Sequence, residues 1–528
     1  MNLRPSCGPI TAARLAAGVG ALAVVVYAGA LANGFALDDV ALVADNTLVH
    51  AVSGFWRAFA LPYWPPALGG YHLYRPLAVA TYTLDWLVAP GHAWWFHAVN
   101  VAWHAGASAA VALLARRWRG DVAGLVAGAL FAVHPVHVEA VANVVGRTEL
   151  LAATLSIVAV WLAIERDSLA GSAVAWGLGL LAKETAAVVP GLIAAAWLLG
   201  LRRPPARRIV TYVAVWCLVG IGLALARAVV LAPYGGVLGT AIVFHGQSPV
   251  GVRLTAVAAL TDVARLLVFP LTLRVDYSPN ERTAVTGFGD LRFVAGLACL
   301  ASWAALVWLL ARRHRRVEAF GLIWIGIALT PVANLFFRAG VLVAERTLYL
   351  PSAGLALAAG AAFAAWWTGA GARARQLAAA GVVAAIAAGG TRAALRVPVW
   401  KSTETVYRSI VRDSPRSFAG PMFGGGLAEA EGRYAEALED FRRAAQILPT
   451  DNRLPLRAAE LAYRLGRPAL AETLLARIDS TCVHCDTFFQ AAALSARSRG
   501  FAAVADSLLR HLAALKAASP GGRTSRSP

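Results

Sequence analysis

The chain has 528 residues, of which 59% are hydrophobic and only 15% charged, with a mean hydropathy of +0.61. A soluble domain carries about a quarter charged residues, so an ordinary soluble fold is excluded for most of the length. The formal net charge of +19 is no argument for nucleic acid, because a membrane chain places cations in short cytoplasmic loops for topological reasons.

In chain order, Arg4 stands before, and Arg14 at the start of, an apolar run at 12–32. No clean small-residue cleavage site follows; Asn33 and Gly34 lead directly to Asp38 and Asp39. The run is therefore read as a retained first helix rather than a signal peptide. Further apolar runs fall at 97–115, 120–134, 149–165, 169–182, 184–200, 209–231, 293–311, 318–337, 350–368 and 376–395, giving about eleven spans. The stretch 254–271 carries Asp262 and Arg265 three apart on one face, and 74–88 carries Arg75, Tyr82, Asp85 and Trp86. A charged pair at mid-membrane is costly, so the first is read as an interfacial amphipathic helix and the second as a similar element.

Arginine clusters at 116/117/119, 202/203/207/208, 312/313/315/316 and 373/375 set the orientation. With the N-terminus cytoplasmic, every cluster falls inside, provided 254–271 does not cross. The same arrangement sends the chemically capable residues to the other face. These are Asp38 and Asp39 in a first external loop (33–96); His134, His137, Glu139, Asn143 and Arg147; Lys183 and Glu184; and Arg338, Glu345, Arg346 and Tyr349. A transporter keeps its substrate site near the midplane. An enzyme acting on a lipid-linked substrate gathers its groups at one surface.

Each motif also has a plain structural reading. The paired aspartates suit an N-cap or a solvated loop, and Lys183-Glu184 an ion pair closing a helix hairpin. The segment His134-Pro135-Val136-His137 has Pro135 at a first helical turn, after which Glu139, Asn143 and Arg147 recur every four residues on one predicted helix face. His and carboxylate also bind metals, but the spacing matches no strong metal signature. No metal ligand is assigned, and a divalent cation requirement is left open.

After Trp400 the composition turns polar. Ala428/Ala462/Ala496, Gly432/Gly466/Gly500 and Ala437/Ala471/Ala505 each recur with a period of 34, as do Gly425/Ala459/Ala493 and the larger Phe441/Leu475/Leu509. That period, with alternating small and large positions, identifies tetratricopeptide repeats at about 418–451, 452–485 and 486–519. Such helix pairs stack into an α-solenoid that presents a concave surface to a peptide or protein partner. The expected organisation is a transmembrane domain at 1–400, a linker at 401–417, three repeats at 418–519 and a disordered tail at 520–528. Cys7, Cys217 and Cys299 read as packing residues, whereas Cys482-x-x-Cys485, on an external domain, reads as a disulfide or two free thiols.

Leu37-Asp38-Asp39, Tyr74-Arg75-Pro76-Leu77, the block from Phe131 through His134-Pro135-Val136-His137, Glu139 and Asn143 to Gly146-Arg147, Lys183-Glu184, Asp276-Tyr277-Ser278, and Ala344-Glu345-Arg346-Thr347-Leu348-Tyr349-Leu350-Pro351-Ser352 together resemble one family. It is that of the transmembrane and tetratricopeptide-repeat O-mannosyltransferases, which are GT-C glycosyltransferases. The resemblance covers roughly 30–520; eukaryotic members carry longer repeat arrays. It implies an all-α polytopic enzyme that transfers a sugar, mannose being the family's, from a polyprenyl-phosphate donor to a protein hydroxyl. The family's first-loop acidic pair matches Asp38 and Asp39, so that one aspartate would serve as general base or position the acceptor.

The chemistry fits those residue types. Attack of a hydroxyl at an anomeric carbon needs a nearby carboxylate and cations for the departing phosphate, for which Arg147, Lys183 and Arg346 are the expected groups. Arg75, His134, His137, Glu139, Asn143, Glu184, Glu345 and Tyr349 are the expected substrate-binding set, and the repeats would hold the protein acceptor. The Ala/Arg-rich composition suggests a bacterial inner-membrane protein with its repeats on the periplasmic side. The competing classes are a non-catalytic membrane anchor displaying repeats as a scaffold, and a transporter of lipid-linked sugars.

Overall fold

A computed structural model describes residues 11–65, 73–234, 240–278, 280–478, 485–498 and 500–518. Cys7, Cys482, the side chain of Cys485 and the tail at 520–528 lie outside the described residues. Among those described, the chain is helical with no strand. It divides into two units, residues 1–273 with 284–405, and residues 274–283 with 406–528.

In the first unit the helices are α1 (Ala12–Tyr27), α2 (Val52–Arg57), α3 (Pro76–Val88), α4 (Ala93–Ala132), α5 (Val138–Ala142), α6 (Arg147–Glu165) and α7 (Leu169–Ala182). They are followed by α8 (Val189–Leu198), α9 (Ala206–Leu231), α10 (Pro249–Val268), α11 (Leu291–Arg312), α12 (Arg316–Leu329), α13 (Tyr349–Gly369) and α14 (Ala372–Arg396). Among the described residues, seven helical stretches are long and apolar enough to cross a membrane: Ala12–Ala32, Ala93–Ala132, Val144–Glu165, Ala206–Tyr234, Leu291–Arg312, Glu345–Gly369 and Ala372–Trp400. The chain is a multi-pass integral membrane protein.

The longest of these, α4, contains two predicted spans. It bends at Gly120, whose φ of 82° belongs to the left-handed region that glycine alone enters cheaply. The α12 helix ends earlier than the predicted 318–337, at Leu329. Pro331 supplies no N–H and disfavours helical geometry in Thr330, so the chain leaves the helix there and continues as irregular backbone toward the turn Glu345–Leu348.

Three arginine clusters converge at one end of this unit. Arg117 and Arg202 both pair with the buried Glu165, at 2.8 and 2.9 Å, while Arg119 and Arg315 pair with the buried Glu318, each at 3.0 Å. Glu165 terminates α6, whose opposite end begins at Arg147. A helix of this length is about 27 Å long, close to the hydrocarbon thickness of a bilayer. The arginine-rich end and the polar motif around Arg147 thus lie at opposite ends of one span.

The second unit begins with α15 (Thr403–Asp413), which occupies most of the stretch expected to be a linker and buries Val406, Ser409 and Ile410 from Val406 onward. Three helix pairs follow: α16 (Ala419–Ala430) with α17 (Tyr434–Ile447), α18 (Arg453–Arg464) with α19 (Pro468–Leu475), and α20 (Cys485–Ser498) with α21 (Ala502–Ala518). Each pair turns on a glycine of the 34-residue period, with φ of 75°, 68° and 85° at Gly432, Gly466 and Gly500. The small positions Ala428, Ala437, Ala462, Ala471, Ala496 and Ala505 are fully buried. Phe441 and Leu475 fill the large position, but in the third repeat Leu508 and Leu512 are buried while Leu509 is only half-buried.

Helices α12 and α13 meet where Gly321 faces Gly354. A Cβ at Gly354 would stand 2.4 Å from the Gly321 carbonyl oxygen. Gly354→Ala should therefore destabilise the detergent-solubilised protein by about 1–3 kcal/mol, seen as a lowered melting temperature. Gly381→Ala, with nothing within 4 Å of its new carbon, should change stability by less than about 0.5 kcal/mol.

Candidate active site

The polar block around residue 140 folds differently from its pattern. The expected helix carrying Glu139, Asn143 and Arg147 on one face does not form. The α5 helix stops at Ala142, Asn143 is extended (φ −98°, ψ 128°), and a short 3-10 turn, Val144–Gly146, leads into α6. The break is held from both sides. The Asp39 carboxylate accepts the backbone N–H groups of Val145 (2.8 Å) and Val144 (3.3 Å), together with that of Ala36 (3.2 Å). The Asn100 amide of α4 donates to the carbonyls of Asn143 (2.9 Å) and Val144 (3.2 Å). Groups that a continuous helix would satisfy internally are met here by two buried side chains.

The break separates the three residues. Arg147 is fully buried and fully engaged. Its Nε donates to Asn100 Oδ1 (2.8 Å), its Nη2 to the Phe96 carbonyl (2.8 Å) and its Nη1 to Asp85, and it lies over the Tyr82 ring. Expected to face the donor phosphate, it is instead the internal clamp between α3, α4 and α6. Asn143 is buried, and its Oδ1 has no partner. Glu139 turns the other way and receives the backbone N–H of Arg346 (2.8 Å) and its Nη1.

His134, His137 and Tyr349, expected to bind substrate, are drawn into packing. His104 of α4 accepts from the Tyr349 hydroxyl (2.8 Å) and donates to the Ala132 carbonyl (3.0 Å). His137 hydrogen-bonds to Ser352 (2.7 Å), and its ring lies 4.5 Å from those of both Phe131 and Tyr349. His134 accepts the Val136 N–H on Nδ1 and donates from Nε2 to the Leu267 carbonyl of α10. His137, His104 and Tyr349 are fully buried. These polar groups knit α4, α13 and α10 together, which explains their presence among apolar residues.

What remains forms one charged cluster. Arg75 makes a bidentate pair with Glu184 (2.9 and 3.1 Å), Lys183 pairs with Glu149 at the start of α6, and Arg346 pairs with Glu139. Lys183, Glu149 and Glu139 are buried, as is Glu345 beside Arg346; the Arg346 side chain is 37% exposed and that of Glu184 41%. Arg346 lies within electrostatic reach of Glu149 and Asp38, and Lys183 within reach of Arg75, Arg346 and Glu184.

The two aspartates diverge completely. Leu37 takes a left-handed φ of 50°, uncommon for a residue with a Cβ, and its N–H is held by Thr403 Oγ1 (3.0 Å). The turn sends the next two side chains apart. Asp39 is fully buried, and burial pushes its carboxyl up to about 7 against the pull of its three N–H donors. Asp38 is exposed, and within this cluster it is the one carboxylate among the described residues with no hydrogen bond or ion pair. The surrounding protein still withdraws enough water to raise its pKa above the ordinary aspartate value; Arg346 opposes that rise and Glu139 adds to it.

Glu149, Asn100 and His104 were missed by sequence reasoning, and Asp85, noted in the 74–88 stretch, was given no role at the site. The available signal was their polarity inside apolar runs, as at Asn100 and His104 within the span predicted at 97–115.

The tetratricopeptide-repeat family model matches residues 428–481. Over 459 residues the chain is 28% identical to the human protein O-mannosyl-transferase TMTC4, covering 75% of this chain and 61% of that one. It is 26% identical to mouse TMTC3 over 63% of this chain and 40% of that one, and 42% identical to Drosophila Tmtc2 over 136 residues, 25% of this chain and 14% of the relative. Its homologues are the TMTC protein O-mannosyl-transferases. The chain spans about three-fifths or less of the length of these relatives. No solved structure matches.

Arg147→Met leaves Asp85 as an uncompensated buried charge and should cost about 3–5 kcal/mol. Adding Asp85→Leu should recover part of that loss, which denaturation of the single and double variants would measure.

Proposed function

We propose that the chain is a GT-C-type glycosyltransferase that moves a mannosyl group from a polyprenyl-phosphate donor to a protein hydroxyl. The observation carrying this reading is the pairing of an exposed, unpartnered Asp38 with a half-exposed Arg346. Glu139 occupies the Arg346 backbone N–H and Nη1, and among the described residues Nε and Nη2 have no hydrogen-bond partner. In the reaction the acceptor oxygen attacks the anomeric carbon while the bond from that carbon to the phosphate oxygen breaks. Asp38 takes the hydroxyl proton, and Arg346 bears on the negative charge gathering on the leaving phosphate.

The other polar residues act behind these two. Asp39 positions Asp38 by fixing the break at Asn143. Lys183, Glu149, Arg75 and Glu184 set the local field, with the open edges of the Arg75–Glu184 pair facing the donor or acceptor. That the homologues are protein O-mannosyl-transferases supports mannose and a protein acceptor. The one-sided placement of the cluster, at the end of α6 opposite the arginines, supports a lipid-borne donor whose head group lies at the membrane surface. Positive-inside placement of the arginines supports a cytoplasmic N-terminus; with about eleven crossings the repeats would stand on the external face, where they hold the acceptor, and the Ala/Arg-rich composition supports a bacterial inner membrane.

The test is transfer from mannosyl polyprenyl phosphate in reconstituted vesicles. Asp38→Asn should reduce the rate by a factor of about 100 or more while leaving the protein folded. Undiminished transfer would remove Asp38 from the chemistry. Because the base must be ionised and its pKa is raised, the wild-type rate should climb with pH along a limb above the ordinary aspartate range, about 3.9, and Asp38→Asn should flatten that limb.

A further inference from the structure

A second feature lies on the same side of the membrane as the charged cluster. A cavity of about 420 Å³ opens between α10 and the start of α11, lined by Val250, Leu254, Val257, Phe288 and Phe293, with Arg253 as its one charged wall. That volume falls in the range of small-molecule sites, ~300–1,000 Å³. Its level in the bilayer follows from α11, whose last residue, Arg312, belongs to the arginine-rich end. Phe293, near the other end of this 22-residue helix, stands about 30 Å away along its axis, on the side that holds Arg147 and Arg346.

The groove is accessible from lipid. Only 6% of the apolar window of α11 is buried in the protein, so one wall of the cavity belongs to a helix bathed in acyl chains. Phe288, Leu291, Phe336 and Phe337 are each between 65% and 81% exposed. The α10 and α11 backbones touch directly at Gly296, where a Cβ would stand 2.0 Å from the Val257 carbonyl oxygen.

The charge at its mouth is positive. Arg253 spends one Nη2 hydrogen on the Phe336 carbonyl (3.2 Å), and its other guanidinium nitrogens have no partner among the described residues. Arg338, two residues beyond Phe336, is exposed and has no ion-pair partner among the described residues. Asp290, the acid near this rim, is already taken by Arg292 (2.6 Å). The groove also leads toward the site, since α10 packs against the Glu345–Leu348 turn that carries Arg346.

We infer that this groove seats the first isoprene units of the polyprenyl-phosphate donor, with Arg253 and Arg338 drawing in the phosphate before it reaches Arg346. A branched, unsaturated chain suits a short cavity walled by valine, leucine and phenylalanine. A chain entering sideways from the bilayer needs no opening of the helix bundle. This inference rests on the lipid-donor reading, and its test separates the two.

The experiment uses the full chain in nanodiscs and a polyprenyl phosphate with a diazirine on its first isoprene unit, with the crosslinked peptides mapped by mass spectrometry. The inference predicts crosslinks to residues 250–257 and 288–293. It also predicts that Val257→Trp lowers their yield by about tenfold, as expected when a bulky group fills an apolar pocket, while Leu218→Trp on the lipid-facing side of α9 leaves it unchanged. Arg253→Ala should abolish the preference for polyprenyl phosphate over uncharged polyprenol.

Crosslinks mapping elsewhere while sugar transfer proceeds would overturn the groove and leave the enzyme standing. Equal displacement of the probe by bulk phosphatidylglycerol would also overturn it, by showing a general lipid contact. Crosslinks in the groove without sugar transfer from any donor would support the lipid site and overturn the enzyme.

Discussion

The site depends on one interruption of a helix. Between Ala142 and Arg147 the backbone leaves helical geometry, and its freed groups are met by Asp39 from one side and Asn100 from the other. Without that break Glu139 and Arg147 would share a helix face, and both would compete for the same surroundings. With it, Glu139 reaches Arg346 on the turn before α13, and Arg147 reaches Asp85 and Phe96 across to α3 and α4. A buried carboxylate holding backbone N–H groups is costly to desolvate, and such an arrangement persists where the surrounding structure specifies it. Here Leu37, in a left-handed conformation, makes the specification visible one residue before the acidic pair.

The same economy organises the charges. Every cation of the cluster already has an anion, and what is left over marks its open edge: Asp38, with no partner among the described residues, and the side of the Arg346 guanidinium that Glu139 does not engage. Paired charges in a water-poor setting hold their positions without reorganising, which is how a preorganised site stabilises charge that develops during reaction. At the far end of α6 the arginines are likewise anchored on two buried glutamates, Glu165 and Glu318. The two ends differ in sign and in purpose. One gathers arginines, as the positive-inside preference of membrane insertion leads one to expect, and the other brings both signs together.

Much of this was legible in the sequence. Length and apolarity located the membrane helices, because hydrocarbon permits few alternatives to a helix. The repeats were legible because stacked helix pairs demand a small residue and a turn glycine at a fixed period. Of the four arginine clusters that the sequence placed on one side, three meet at one end of the first unit. The helix break was not legible, since Glu139, Asn143 and Arg147 carry a good helical pattern and the groups that overrule it, Asp39 and Asn100, are about 40 residues or more away in sequence. Nor was the difference between Asp38 and Asp39, adjacent and chemically identical, separated only by the turn that precedes them. His134, His137 and Tyr349 looked chemically capable and proved to be packing, because their partners, His104, Ser352 and the Leu267 carbonyl, come from elements far along the chain.

The account stands or falls on Asp38 being the free base and Asp39 its support, and chemical rescue separates these roles. Mannosyl transfer should be measured with Asp38→Gly and Asp39→Gly while sodium formate is raised. The account predicts that formate, entering the space left by the exposed side chain, restores transfer in Asp38→Gly and leaves Asp39→Gly inactive, because a diffusing anion does not rebuild a buried cap on Val144 and Val145. Rescue of Asp39→Gly, or full activity of Asp38→Gly without formate, would contradict it.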